Sequence, residues 1–177
     1  MKVARGFHNL RKAAGRAADG CPTDSRPGDS GCVLTVGNYD GVHLGHQRMI
    51  RVLKERAAEL GCASTVLVFE PSSKEFIDPA GAPPRLTRWR EKYLALAALG
   101  VDRLVTLRFD DEIRAMSPQC FVEQLLVADL NVRHLVVAMI FATAPRRRAR
   151  FIACERPANC TASGWTRSMP SSSTACA

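Results

Sequence analysis

Two histidines three residues apart, His43 and His46, lie in the stretch Gly37-Asn38-Tyr39-Asp40-Gly41-Val42-His43-Leu44-Gly45-His46-Gln47. Each imidazole offers one donor and one acceptor when neutral, two donors when charged, and a lone pair for a metal. Gly37, Gly41 and Gly45 let a ligand approach the backbone closely or let the chain adopt positive φ. If a helix begins here, its free N–H groups and the positive end of its dipole favour an anion, phosphate above all. Both rings would then lie on one side of the first turn. Two plainer readings stay open on these residues alone. The histidines could be ordinary capping and surface groups. A zinc site would need a third and fourth ligand, and the other histidines, His8 and His134, have no supporting cysteine spacing.

The flanking residues show what must hold the motif. Before it, Cys32-Val33-Leu34-Thr35-Val36 is an apolar, β-branched run of strand length. After it, His46, Ile50, Leu53, Ala57 and Leu60 fall on one face of an α-helix. Residues 64–69 read as a second buried strand that ends at Glu70-Pro71, and a loop with Pro79, Pro83 and Pro84 follows. Polar groups just past a strand end are where α/β folds place ligand contacts. Glu70, Ser72, Ser73 and Lys74 are therefore candidates for substrate contact, with a solvated loop as the alternative.

Further along, Thr87 is positioned to cap a helix over 88–99, with Trp89, Tyr93 and Leu96 inward and Gly100 as the stop. Residues 101–107 supply a third strand. Ser117-Pro118 opens another helix through Phe121, Leu125 and Ala128, and residues 133–137 form a fourth strand. Residues 1–10 fit a short edge segment, and 11–30 fit a mobile loop. Strand and helix alternate, so the expected fold class is α/β, a parallel sheet with helices on both faces that binds ligands at the carboxyl ends of its strands.

The chain's 177 residues, 46% hydrophobic and 24% charged, suit one globular domain and exclude a wholly disordered chain. No apolar run is long enough for a transmembrane helix, and Met1-Lys2-Val3-Ala4-Arg5-Gly6-Phe7 lacks the apolar core of a signal peptide. Seven scattered cysteines without a CxxC fit reduced thiols, hence a cytoplasmic location. The net charge of +8 is uneven, because residues 138–177 hold six Arg and one Glu. Nucleic-acid binding would rest on that tail alone. Its Arg146-Arg147-Arg148-Ala149-Arg150 run has no interleaved aromatics, so such a partner is not expected, nor is a membrane.

His43-Leu44-Gly45-His46 resembles the His-x-Gly-His signature of the nucleotidyltransferase superfamily, and the whole stretch 37–47 is most similar to the first motif of bacterial FAD synthetases. Tyr39 stands where that family usually has Phe. Val68-Phe69-Glu70-Pro71 resembles its second motif, and Arg85-Leu86-Thr87, Glu91-Lys92, Gly100-Val101-Asp102 and Phe121-Val122-Glu123 continue the register. The resemblance covers residues 1–10 and 32–137. It implies a Rossmann-like nucleotidyltransferase domain that transfers AMP from ATP to FMN, giving FAD and pyrophosphate, with Mg²⁺ on the phosphates. It further implies that His43 and His46 are the catalytic donors to ATP phosphates. Gly37, Asn38, Tyr39, Asp40, Gly41 and Gly45 would shape the nucleotide loop, and Glu70, Ser72, Ser73 and Lys74 would face the flavin. No protein metal ligand is assigned.

From Ala138 the pattern breaks. Residues 138–177 contain no Leu, Val, Lys or Asp. The resemblance calls for Gly-x-Asp-Phe-x-Phe/Tyr-Gly after the fourth strand and a later Ser-Ser-Thr-x-x-Arg element, and neither is present. Stepping the reading frame back by one base across 138–144 permits Gly-Asp-Asp-Phe-Arg-Tyr-Gly, in which the single Met139 codon forces an Asp. Residues 145–154 do not convert cleanly. The expected organisation is thus an N-terminal segment (1–31), a partial adenylyltransferase domain (32–137) and a basic, out-of-frame, disordered tail (138–177), with no riboflavin kinase domain.

Overall fold

The structure, a computed structural model, describes residues 1–6, 31–140, 149–155 and 166–168, with side chains for 1–6 and 31–137. The expected loop at 11–30, His8 and Arg146-Arg147-Arg148 lie outside the described residues.

Seven strands form one sheet: β1 (Lys2–Arg5), β2 (Cys32–Val36), β3 (Ala63–Phe69), β4 (Arg103–Leu107), β5 (Val132–Ile140), β6 (Ala149–Glu155) and β7 (Thr166–Ser168). Their spatial order is β1-β4-β3-β2-β5-β6-β7. The strands from β1 to β5 pair in parallel, and β1 at one edge is the short segment expected near the N-terminus. The helices are α1 (Leu44–Glu59), α2 (Ser73–Ile77), α3 (Trp89–Ala98), α4 (Asp111–Ala115) and α5, in which Pro118–Cys120 runs into Phe121–Asp129.

Alternate residues of the strands feed two cores. Val33, Val66, Val68 and Leu104 pack with Met49, Ile50, Leu53 and Ala57 of α1 and Leu96 of α3. Cys32, Leu34, Leu67, Val105 and Leu107 pack on the other face with Leu125 and Leu126 of α5. Helices thus cover both faces of the parallel sheet. Burying a Leu or Ile side chain contributes about 1.5–3 kcal/mol, so these two layers hold the domain.

Two helix expectations shift. Leu60, expected inward, is 40% exposed. It lies just beyond α1, where Gly61 at φ 59 turns the chain away, and Met49 packs inward instead. Residues 121–129 wind more widely than an α-helix, closing with a Leu130 N–H to Leu125 carbonyl bond of 3.0 Å. The wider turn keeps the adjacent Leu125 and Leu126 both against the sheet.

From β2 the chain steps to β3 and β4 on one side, and then places β5 on the other. β2 is therefore the switch point, and the crevice past its carboxyl end is the position such sheets offer to a ligand. Past β5, β6 and β7 add antiparallel at 149–155 and 166–168. β6 pairs with the outer edge of β5 from His134 opposite Glu155 to Ile140 opposite Ala149, and such backbone pairing asks little of side chains. No helix among the described residues is long and apolar enough to cross a membrane.

Candidate functional site

His43 is the N-cap of α1, with extended backbone, and its Nδ1 accepts the His46 N–H at 3.4 Å. That bond leaves the ring proton on Nε2, so His43 presents a donor outward while its inner nitrogen caps the helix. The two rings stack with centroids 3.7 Å apart and planes 19° apart. Gly45 makes the stack possible, since a Cβ there would lie 3.0 Å from His43 Cε1. His46 is half-buried, and its Nδ1 has no hydrogen-bond partner. Burial first, and then the positive charges of His43 and Lys92 against the opposing pull of Asp40, lower its pKa to about 4. At neutral pH it is an uncharged imidazole.

Beneath the pair, Tyr39 is fully buried in the left-handed conformation (φ 50), with its hydroxyl 2.7 Å from Thr35 Oγ1. Its ring lies 4.8 Å from that of His46 and forms the floor of the pair. Burial pushes the phenol up against the Thr35 hydrogen bond, so it stays protonated. Gly37 donates to the Leu67 carbonyl at 3.1 Å, and a Cβ on it would meet the Tyr39 ring at 3.1 Å.

Asp40 ties this turn to the chain entering α3. Its carboxylate accepts the Leu86 N–H at 2.8 Å, the Thr87 N–H at 2.8 Å and the Thr87 hydroxyl at 2.7 Å. Burial works against its ionisation, but these bonds and the Lys92 charge outweigh it, and the pKa falls below the usual range. Thr87 Oγ1 also accepts the Gly41 N–H at 3.1 Å. Thr87 is therefore not the helix cap its sequence position predicts. Its hydroxyl is held by the Asp40 turn, Arg88 takes the cap position, and Glu91 accepts the Arg88 N–H at 2.8 Å.

Lys92 was legible only as part of a motif, yet it is 7% exposed and its charge reaches both His46 and Asp40. The available signal was its spacing. Residues 89, 92, 93 and 96 form one helical stripe, and a cation at such an inward position is unusual.

The loop after β3 is built differently. Arg85 forms ion pairs with both Glu70 and Glu75. Ser72 caps α2, accepting the Glu75 N–H at 3.4 Å while the Glu75 carboxylate accepts the Ser72 N–H at 2.8 Å. Ser73 is half-buried and Lys74 exposed. Phe109 sits edge-on to both Phe69 and Phe76, with 5.5 Å between centroids in each pair.

Residues 25–163 match the FAD synthetase family. The chain belongs to the FAD synthetase family. A bifunctional riboflavin kinase/FMN adenylyltransferase of Pseudomonas fluorescens is 43% identical over 137 residues, covering 77% of this chain and 39% of the relative. One of Escherichia coli K12 is 37% identical over 156 residues, covering 88% of this chain and 45% of the relative. The chain thus spans less than half the length of these relatives. A solved structure titled macrolide-efflux protein from Streptococcus pneumoniae superposes with a TM-score of 0.57 at 21% identity, over 83% of this chain and 52% of that one, a likeness of fold alone.

In this chain the expected site residues separate by position. His43, Gly41 and Asn38 lie exposed at the crevice, with His46, Gly37 and Asp40 partly covered behind them. Glu70 and Ser72 are engaged within their own loop. Among the described residues no cluster of three or more His, Cys, Asp or Glu has the arrangement of a metal site, and Asp40 is fully engaged by donors.

Proposed function

We propose that this chain carries the ATP-binding side of an FMN adenylyltransferase site, the activity in the names of its relatives. The observation that carries the reading is the stacked His43–His46 pair capping α1 at the switch point of the sheet. A phosphate oxygen of FMN attacks the α-phosphorus of ATP, the bond to the bridging oxygen breaks, and pyrophosphate leaves with that electron pair. The attacking phosphate is already anionic near neutral pH (second pKa about 6), so no general base is needed. Catalysis is in-line positioning together with hydrogen bonds to the charge developing on the α-phosphoryl group. His43 Nε2–H and the first N–H groups of α1 would donate to those phosphates. Mg²⁺ would enter with ATP, held by phosphate oxygens and water rather than by a protein cage.

The break in the family pattern from Ala138 favours a second reading, a remnant that binds nucleotide or flavin without turnover. We read residues 138–177 as translated out of frame, and sequencing the gene around codons 137–138 tests this, an intact reading with no lost base refuting it. A cytoplasmic site accords with the scattered cysteines. The deciding assay mixes the chain with ATP, FMN and Mg²⁺ and measures FAD by chromatography, beside an ATP titration. FAD formation supports the transferase. ATP binding without FAD supports the remnant, and neither result leaves both readings unsupported.

A further inference from the structure

Lys92 lies on the covered face of α3, and its charge acts on His46 and Asp40. A lysine is rarely covered to this degree without an ionic partner, because removing its charge from water is costly. Among the described residues, however, no carboxylate forms an ion pair with it and no acceptor takes a hydrogen bond from its ammonium. Asp40, whose charge it feels, has already directed its oxygens to Leu86 and Thr87. The cation is carried on a regular helix rather than a loop, and α3 is fixed to the motif through the Asp40–Thr87 tie.

We propose that Lys92 is a phosphate-binding residue of the nucleotide site, its ammonium donating to a phosphate oxygen of a bound nucleoside triphosphate beside His46. The inference rests on the adenylyltransferase reading and adds a residue to it. The neutral His46 imidazole contributes an oriented dipole, whereas charge moving onto a pyrophosphate leaving group calls for a full positive charge nearby. A lysine ammonium acts as a point charge for phosphate, and the vacant donor positions of Lys92 are thereby filled.

The test uses the full chain with K92M, K92Q and K92R, titrated calorimetrically with MgATP, inorganic pyrophosphate and adenosine, with thermal unfolding run alongside. K92M and K92Q should weaken pyrophosphate and MgATP binding about 10-fold or more, leave adenosine binding unchanged and leave the Tm equal or higher. K92R should retain pyrophosphate within a few-fold. Pyrophosphate bound equally by K92M and the unmodified chain overturns the proposal. So does parallel loss of adenosine and pyrophosphate, or unfolding of both K92M and K92Q, since those outcomes make Lys92 a structural cation. An unmodified chain that binds neither MgATP nor pyrophosphate overturns the adenylyltransferase reading itself and the Lys92 assignment with it.

Discussion

The loop after β2 and the loop after β3 both leave the carboxyl edge of the sheet rich in polar residues, and they use them in opposite ways. After β3, Glu70, Glu75 and Arg85 pair with one another and Ser72 caps a short helix, so the polar groups are satisfied within the loop. After β2, one carboxylate fastens the frame while the His43 donor faces out and the His46 Nδ1 is left without a partner. Polar density at the ligand edge of an α/β sheet therefore does not mark a site. An unsatisfied polar atom at that edge is the better signal, because it costs free energy until a ligand meets it; Thr65 Oγ1, equally unpartnered but inside β3, is not at that edge.

The strongest attempt to break this contrast removes His46. In a chain with the reading frame restored, H46A should lower kcat for FAD formation by about 10²–10³-fold and hardly move the Tm, since its ring leaves no protein partner orphaned. Undiminished FAD formation would remove the first loop's claim to the chemistry. D40A should strike stability and binding together. It strips the acceptor from the Leu86 N–H and both Thr87 donors, so a loss of about 1–3 kcal/mol is expected in urea unfolding, with weaker ATP binding. R85A should cost only about 0–1 kcal/mol, because the arginine is 46% exposed, and should leave ATP affinity unchanged. A tenfold loss of ATP affinity in R85A would show that the second loop is not self-contained.

Acid titration separates the loops without touching the chemistry. The folded pKa of His46, about 4, lies below its ordinary 6.5. The unfolded chain binds that proton first, so stability falls as pH drops from 6.5 towards 4 and levels off below. Glu75 is held to about 2 by its Arg85 hydrogen bond, against burial and aided by Ser72, below its ordinary 4.5. Its contribution is present above 4.5 and is lost between 4.5 and 2. Plots of unfolding free energy against pH should lose the upper step in H46A, whereas E75Q should shrink the lower step, to which Asp40 also contributes. The opposite assignment would reverse the roles given to the two loops.

The sheet was legible because its strands are contiguous β-branched runs whose neighbours carry strong stop signals, and the His pair was legible because glycines frame it. Other features depend on what the chain brings together. The Asp40–Thr87 tie joins residues 47 apart, and local pattern makes Thr87 a helix cap. Tyr39 sits in a motif of ligand-facing residues yet is core, a fact set by Thr35 beneath it. Lys92 breaks an apolar stripe, but only the folded neighbours reveal that its charge acts on His46 and Asp40.

The placement of β2 between β3 and β5 has a consequence for biosynthesis. β2 ends at Val36 and β5 begins at Val132, so at ribosomal speeds roughly ten seconds separate the two. Throughout that interval the apolar strand that carries the motif has a bare edge in the nascent chain, open to another nascent copy or a chaperone. Translation halted after β4 leaves that edge permanently exposed, whereas a chain extended through β5 has already covered it.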